Sequence, residues 1–202
     1  MRFLALGDSY TIGEGVPESA RWPVVLARQL RAAGDDVDDP HIIAVTGWTT
    51  DELSAGMDAA TLEPSWDLVT LLIGVNNQYR GRDADNYRTE FGDLLQRAIG
   101  LADGKASHVL AVSIPDWGVT RFARENNGHP DAIAAAIDGF NAAAHEQVTA
   151  AGAGWADITD ISRQCGAARD MLSDDGLHPS ARQYTLWVPC ILPLAHTIVR
   201  PL

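Results

Sequence analysis

The segment Arg2-Phe3-Leu4-Ala5-Leu6-Gly7-Asp8-Ser9-Tyr10-Thr11-Ile12-Gly13-Glu14-Gly15 passes from a short apolar run directly into hydroxyls, carboxylates and glycines. Residues 2–6 read as a buried strand that stops at Gly7, and the polar stretch through Val16 reads as a loop. The same punctuation recurs downstream. Residues 22–32 carry apolar side chains at helical spacing, with Gly34 as a C-terminal stop. Residues 41–45 form a second apolar strand pattern ending at Thr46-Gly47, and Thr50-Asp51-Glu52-Leu53 opens a short helix capped by Thr49 or Thr50. The most apolar stretch, residues 66–73, stops at Gly74-Val75-Asn76-Asn77. A helix is predicted from about 87 to 102, a strand over 109–114 closed by Pro115, an alanine-rich helix from about 130 to 151, and a short strand over 155–158. The last helical pattern starts near Ser180 and contains Pro189 and Pro193, which are expected to kink or break it.

Strands separated by single helices imply parallel pairing through right-handed crossovers. The predicted architecture is therefore α/β, a three-layer α/β/α sandwich with about five parallel strands. No repeat, low-complexity tract or linker interrupts the 202 residues, so a single domain over 1–202 is expected. Apolar residues at 46% and charged residues at 21% place the chain among globular proteins rather than disordered ones. The net charge of −12, with scattered rather than clustered basic residues, argues against nucleic acid and against an anionic bilayer surface. No run approaches the ~20 apolar residues of a membrane span, and the first residues hold too short an apolar run for a secretory signal. A cytoplasmic location is expected, with Cys165 and Cys190 as buried free thiols of a reducing compartment, a disulfide between them being possible but not implied. A homo-oligomer is allowed but not specifically predicted.

In parallel sheets, ligands bind beyond the carboxyl ends of the strands. Three glycine-bearing loops fall at such ends, which turns attention to the residues on them. Ser9 directly follows the first strand, on a tight turn where a hydroxyl can stand exposed as a nucleophile; alone, it reads equally as a turn or cap serine. Asp174-Asp175-Gly176-Leu177-His178-Pro179 places a carboxylate three residues before an imidazole, so one loop can hold Asp175 against Nδ1 and leave the other ring nitrogen for a hydroxyl. A surface loop with an incidental histidine is the other reading of that segment. Gly47, through its backbone N–H, and Asn76, through its side-chain amide, can converge on one oxygen near Ser9, although either can also be a plain turn residue. Together these residues supply a nucleophile, a base with its orienting acid, and oxyanion donors. Acyl transfer needs no metal and no organic cofactor beyond them.

These segments resemble the nucleophile and later blocks of the SGNH, or GDSL-type, hydrolase family. Gly7-Asp8-Ser9 is similar to its first block, Gly47 to its second-block glycine, Gly74-Val75-Asn76 to most of its Gly-x-Asn-Asp block, and Asp175-Gly176-Leu177-His178-Pro179 to its Asp-x-x-His block. The resemblance implies a flavodoxin-like sandwich and a serine hydrolase acting on carboxylic esters, thioesters or lysophospholipids, with Gly7 to Gly15 most similar to bacterial lysophospholipase-like esterases. It implies Ser9, Asp175 and His178 as the catalytic triad, and Ser9, Gly47 and Asn76 as the oxyanion hole. Two positions depart from the pattern: Tyr10 stands where leucine is usual, and Asn77 where aspartate is usual. Trp48, Tyr79 and Trp117 are candidates for walls of a pocket for a small-molecule ester. Two other readings remain at this point: a flavodoxin-like ligand-binding module, using the hydroxyls and glycines of residues 9–15 as a phosphate cradle, and a catalytically weak sugar- or partner-binding relative.

Overall fold

The computed structural model describes residues 1–126 and 128–200; of the expected domain span, 127, 201 and 202 lie outside the described residues. Five strands, β1 (Phe3–Gly7), β2 (His41–Ala44), β3 (Leu68–Leu72), β4 (Val109–Val112) and β5 (Gly154–Ala156), form one sheet. Every pairing is parallel, and the order across the sheet is β2-β1-β3-β4-β5. This is the flavodoxin-like order. The central β1 and β3 are apolar at nearly every position and buried throughout, because helices cover both faces.

The helices, in chain order, are α1 (Ser9–Ile12), α2 (Trp22–Ala32), α3 (Thr50–Ala59), α4 (Val75–Tyr79), α5 (Ala84–Leu101), α6 (Arg121–Glu125), α7 (Pro130–Ala151), α8 (Thr159–Cys165) and α9 (Ala181–Val199). The chain moves outward from β1 to β2, then reverses and runs through β3, β4 and β5. With right-handed crossovers, that reversal sends α2 to one face and α3, α5 and α7 to the other; α9 returns to pack on α2, and α5 packs on α7. The reversal also leaves a crevice at the carboxyl ends of β1 and β3, where ligands bind in such sheets. Trp22, Trp187, Tyr87, Tyr184, Phe3 and Phe91 are fully buried in the core on the two sides of the sheet.

Two expectations need correction. Helix α5 begins three residues before the predicted start, because the Asp83 side chain accepts the Asp85 and Asn86 N–H groups and caps it. The last helix is not broken: α9 runs from Ala181 to Val199 with both prolines inside it. Pro189 and Pro193 lie one turn apart on the exposed face, opposite buried Trp187, Val188 and Ile191. Water can therefore satisfy the carbonyls that lose their helical donors, and the buried face pays for the two missing bonds.

Candidate active site

Four loops at the carboxyl edge of the sheet converge on one cavity of about 200 Å³. The first follows β1. Asp8 is fully buried, its Oδ1 accepts the Tyr10 N–H at 3.0 Å, and its carbonyl accepts the Thr11 and Ile12 N–H groups, so the chain turns at once into the single turn of α1. Burial pushes the Asp8 carboxyl up to about 7, against the opposing pull of the Tyr10 N–H. Ser9, the first residue of α1, lines the cavity with its hydroxyl free of any hydrogen bond to the described residues. Tyr10 is buried with its ring edge-on to the His178 imidazole, centroids 5.8 Å apart, and leans on Trp187. The residue that replaces the usual leucine thus packs against the imidazole.

The second loop follows β2. Gly47 sits at φ +87°, a conformation that side chains rarely adopt, and its carbonyl accepts the Arg80 guanidinium at 2.6 Å. The adjacent Thr46 hydroxyl donates to the Glu14 carboxylate, tying this loop to the one after Ser9. That contact places a negative charge beside the glycines of residues 13–15, the opposite of what a phosphate cradle requires. Downstream, Thr49 and Glu52 form a capping box that starts α3.

The third loop follows β3. Asn76 lines the cavity, and its side-chain amide donates to the Trp48 carbonyl at 2.9 Å, which fixes its orientation while leaving a second N–H. Asn77 is fully buried and does not face the cavity. Its Oδ1 accepts the Thr50 N–H at 3.1 Å and its Nδ2 donates to the Thr50 hydroxyl at 2.6 Å, while that hydroxyl donates to Glu90. A hydroxyl has one proton to give, and here it goes to Glu90. Thr50 therefore needs a donor from position 77, which asparagine has and an ionised aspartate lacks.

The fourth loop is a turn closed by a bridge between Leu172 and Pro179 and by the Ser173 N–H donating to the His178 carbonyl at 2.8 Å. Gly176 turns the chain at φ +70°. Asp175 Oδ1 accepts the Ser173 hydroxyl (2.7 Å) and the N–H groups of Leu177 (2.8 Å) and His178 (3.0 Å), while Oδ2 lies 2.6 Å from His178 Nδ1. Partial burial raises the carboxyl, but the bonds from His178, Leu177 and Ser173 outweigh it and hold Asp175 down at about 2. It is an ionised acceptor already aimed at one imidazole nitrogen.

Ser9, Gly47, Asn76 and His178 all line the cavity. Thr46 and Tyr10 complete the lining beside them, and the rest of the wall is apolar: Val75, Tyr79, Trp117, Phe122 and Leu177. Trp117 stands edge-on to Tyr79 at 5.3 Å and is anchored by its indole N–H to Gln78 Oε1 at 2.8 Å, with Tyr79 exposed at the rim. Trp48, expected on this wall, is not there. Its ring lies across Gly56 of α3, where the missing side chain leaves a seat for it. Leu177 and Phe122 were missed. Leu177 stands beside His178 and was readable from that position, whereas nothing in the sequence around Phe122 signals a wall residue.

The protein-family model described as the GDSL-like lipase/acylhydrolase family matches residues 5–186. Among solved structures, TesA superposes with a TM-score of 0.77 at 20% identity, covering 98% of this chain and 99% of that one. The psychrotrophic esterase EstA from Pseudoalteromonas sp., in a structure inhibited by monoethylphosphonate, gives 0.72 at 16% identity over 95% of this chain and 94% of its own. A lipase/acylhydrolase from Enterococcus faecalis gives 0.70 at 20% identity over 96% and 94%. A search of curated proteins found no match. The same sheet and helix layout is thus shared along nearly the whole described length.

Proposed function

Because the chain belongs to the GDSL-like lipase/acylhydrolase family and is an ester-hydrolysing enzyme, we propose that Ser9, His178 and Asp175 are its catalytic triad and that the Ser9 and Gly47 N–H groups, with the Asn76 amide, form its oxyanion hole. The observation that carries this reading is the meeting of Ser9, Gly47, Asn76 and His178 in one cavity, with Asp175 Oδ2 2.6 Å from His178 Nδ1. His178 takes the proton from Ser9 as its oxygen attacks the ester carbonyl, and Asp175 orients and stabilises the imidazolium. The three donors stabilise the tetrahedral oxyanion. His178 then protonates the leaving alcohol, and water releases the acid by the same path.

The substrates in this reading are small acyl esters, extending to thioesters or lysophospholipids, with the Tyr79–Trp117–Phe122 wall receiving the apolar part. Catalysis takes place within one domain and without nucleic-acid partners. No helix among the described residues is long and apolar enough to cross a membrane; a cytoplasmic site of action fits the two free cysteines, although neither is buried as expected: Cys165 is half-buried and Cys190, on the outer face of α9, is exposed. The test is turnover of p-nitrophenyl acetate, butyrate and octanoate by wild type and Ser9→Ala. Wild-type activity that falls to background in Ser9→Ala supports the nucleophile, and equal activity in both rules it out. A phosphonate of the kind that inhibits EstA adds a covalent check, since its mass increment should appear on wild type and not on Ser9→Ala.

A further inference from the structure

A second and larger cavity, of about 380 Å³, lies beside the turn that carries Asp175 and His178. The turn gives Leu177 and His178 to the Ser9 cavity, and Ser173, Asp174 and Gly176 to this one. Helix α6 divides in the same way, with Phe122 in the first and Arg121 in the second. Three guanidiniums line the second cavity, those of Arg121, Arg124 and Arg169, against one carboxylate, Asp174. In a chain of net charge −12 this concentration of positive charge is out of keeping with the rest of the surface.

The partners of these arginines sharpen the point. Most arginines of the protein reach a carboxylate, as in Arg82 with Asp51, Arg97 with Asp58 and Arg163 with Asp116. Among the described residues only Arg2, Arg28, Arg124 and Arg169 have none within 4.0 Å, and two of those four line this cavity. Among the described residues Arg124 donates only to the Val119 carbonyl, and the Arg169 side chain to none. Arg121 is differently employed: it donates to the Asp174 carbonyl at 2.9 Å, lies across Gly176 and approaches Glu125 at 3.7 Å. Two guanidiniums with no carboxylate partner among the described residues, lining one concave, polar site beside a third, match the planar, multidentate recognition of phosphate oxygens.

We propose that this cavity binds a phosphate group, with Arg124 and Arg169 as its principal ligands and Arg121 joining it to the turn that carries Asp175 and His178. The group is borne either by the far end of an anionic ester substrate or by a free phosphate compound. The site stands on its own geometry; only the substrate-borne source rests on the hydrolase reading above.

The probe is inorganic pyrophosphate, titrated calorimetrically into the full chain at low ionic strength. Saturable one-to-one binding is expected in wild type. Arg124→Gln and Arg169→Gln should each weaken it about tenfold, the scale of one lost charge-assisted contact. Arg28→Gln, which removes another unpaired arginine outside the cavity, should leave it unchanged. Thermal melts of the variants confirm that each is folded. Absence of saturable binding in wild type, or equal weakening by Arg28→Gln, overturns the site. Because this titration does not use Ser9, it stands whether or not esters are hydrolysed. Kinetics on 1-acylglycerol 3-phosphate and 1-acylglycerol then separate the two sources. A substrate-borne group shows as a KM raised about tenfold in Arg124→Gln and Arg169→Gln for the phosphorylated ester alone. A free compound shows as pyrophosphate changing turnover of the neutral ester in wild type and not in the variants.

Discussion

Asp8 offers the sharpest quantitative test of the packing beneath Ser9. It is fully buried, its Oδ2 has no hydrogen-bond donor among the described residues, and burial lifts its carboxyl from 3.8 to about 7. Between those two values the folded chain holds a proton that the unfolded chain has released. Stability therefore falls as pH rises through this window and levels off above it. A difference of about three units corresponds to roughly 4 kcal/mol between pH 4 and pH 8. Asp8→Asn removes the titration but keeps a side-chain oxygen to accept the Tyr10 N–H, so the cap of α1 survives. Urea unfolding of both proteins at intervals from pH 4 to pH 8 measures the effect. The wild type should lose about 4 kcal/mol more than Asp8→Asn across the range, and the other titrating groups cancel in the comparison. Parallel curves would falsify the assignment, because they would mean that Asp8 does not change its proton occupancy on folding.

Other residues give tests of different kinds. Asn76→Ala should cut turnover of p-nitrophenyl butyrate by ~10²–10³, the usual scale for one oxyanion donor; a loss under about threefold removes Asn76 from that role. Asp175→Asn should lower turnover by about 10⁴, since the imidazole loses the acceptor that fixes its tautomer. Because the Asp175 carboxyl is held at about 2, its contribution to stability is present above 3.8 and lost as pH falls towards 2, so acid unfolding should be steeper in wild type than in Asp175→Asn. Asn77→Asp should destabilise the fold by about 2 kcal/mol at neutral pH, because it sets an oxygen against the Thr50 hydroxyl. Adding Glu90→Gln should recover most of that loss by freeing the hydroxyl proton, and a double variant no more stable than the single one counts against the network.

The sheet was legible because its signals are local. Five apolar runs, each closed by glycine, proline or a polar cluster, marked the strands, and the helix between each pair required parallel order. Ser9, Gly47 and Asn76 were readable as candidates just past strand ends, and Asp175 with His178 as a candidate pair three residues apart; their joint occurrence and the family resemblance, not any one spacing, drew them into a single proposed site. What escaped depends on distant contacts or on which way a side chain turns. Trp48 follows Gly47 immediately, yet its ring seats on Gly56, a contact set by the start of α3 rather than by proximity in sequence. The continuity of α9 through Pro189 and Pro193 depends on which face meets water, and the proline rule by itself does not carry that information. The role of Asn77 was undecidable from sequence because its partner Thr50, and the Glu90 carboxylate that takes the Thr50 proton, come from two other helices.

Three rings of the apolar wall take no part in the polar machinery, even though Tyr79 shares α4 with Asn76. Ser9, Gly47, Asn76 and the 173–178 turn sit where the backbone is pinned by strand ends, caps and a bridge. Tyr79, Trp117 and Phe122 come from the end of one short helix and from the segment after β4, and they hold one another mainly by ring contacts. Selection for a new acyl group, in nature or in a mutant library, can therefore work on those three rings and leave the reacting geometry alone. A scaffold divided in this way is evolvable at its mouth and conservative at its floor, and a library confined to positions 79, 117 and 122 should yield altered chain-length preference at far lower cost in folded protein than one directed at the loop after β1.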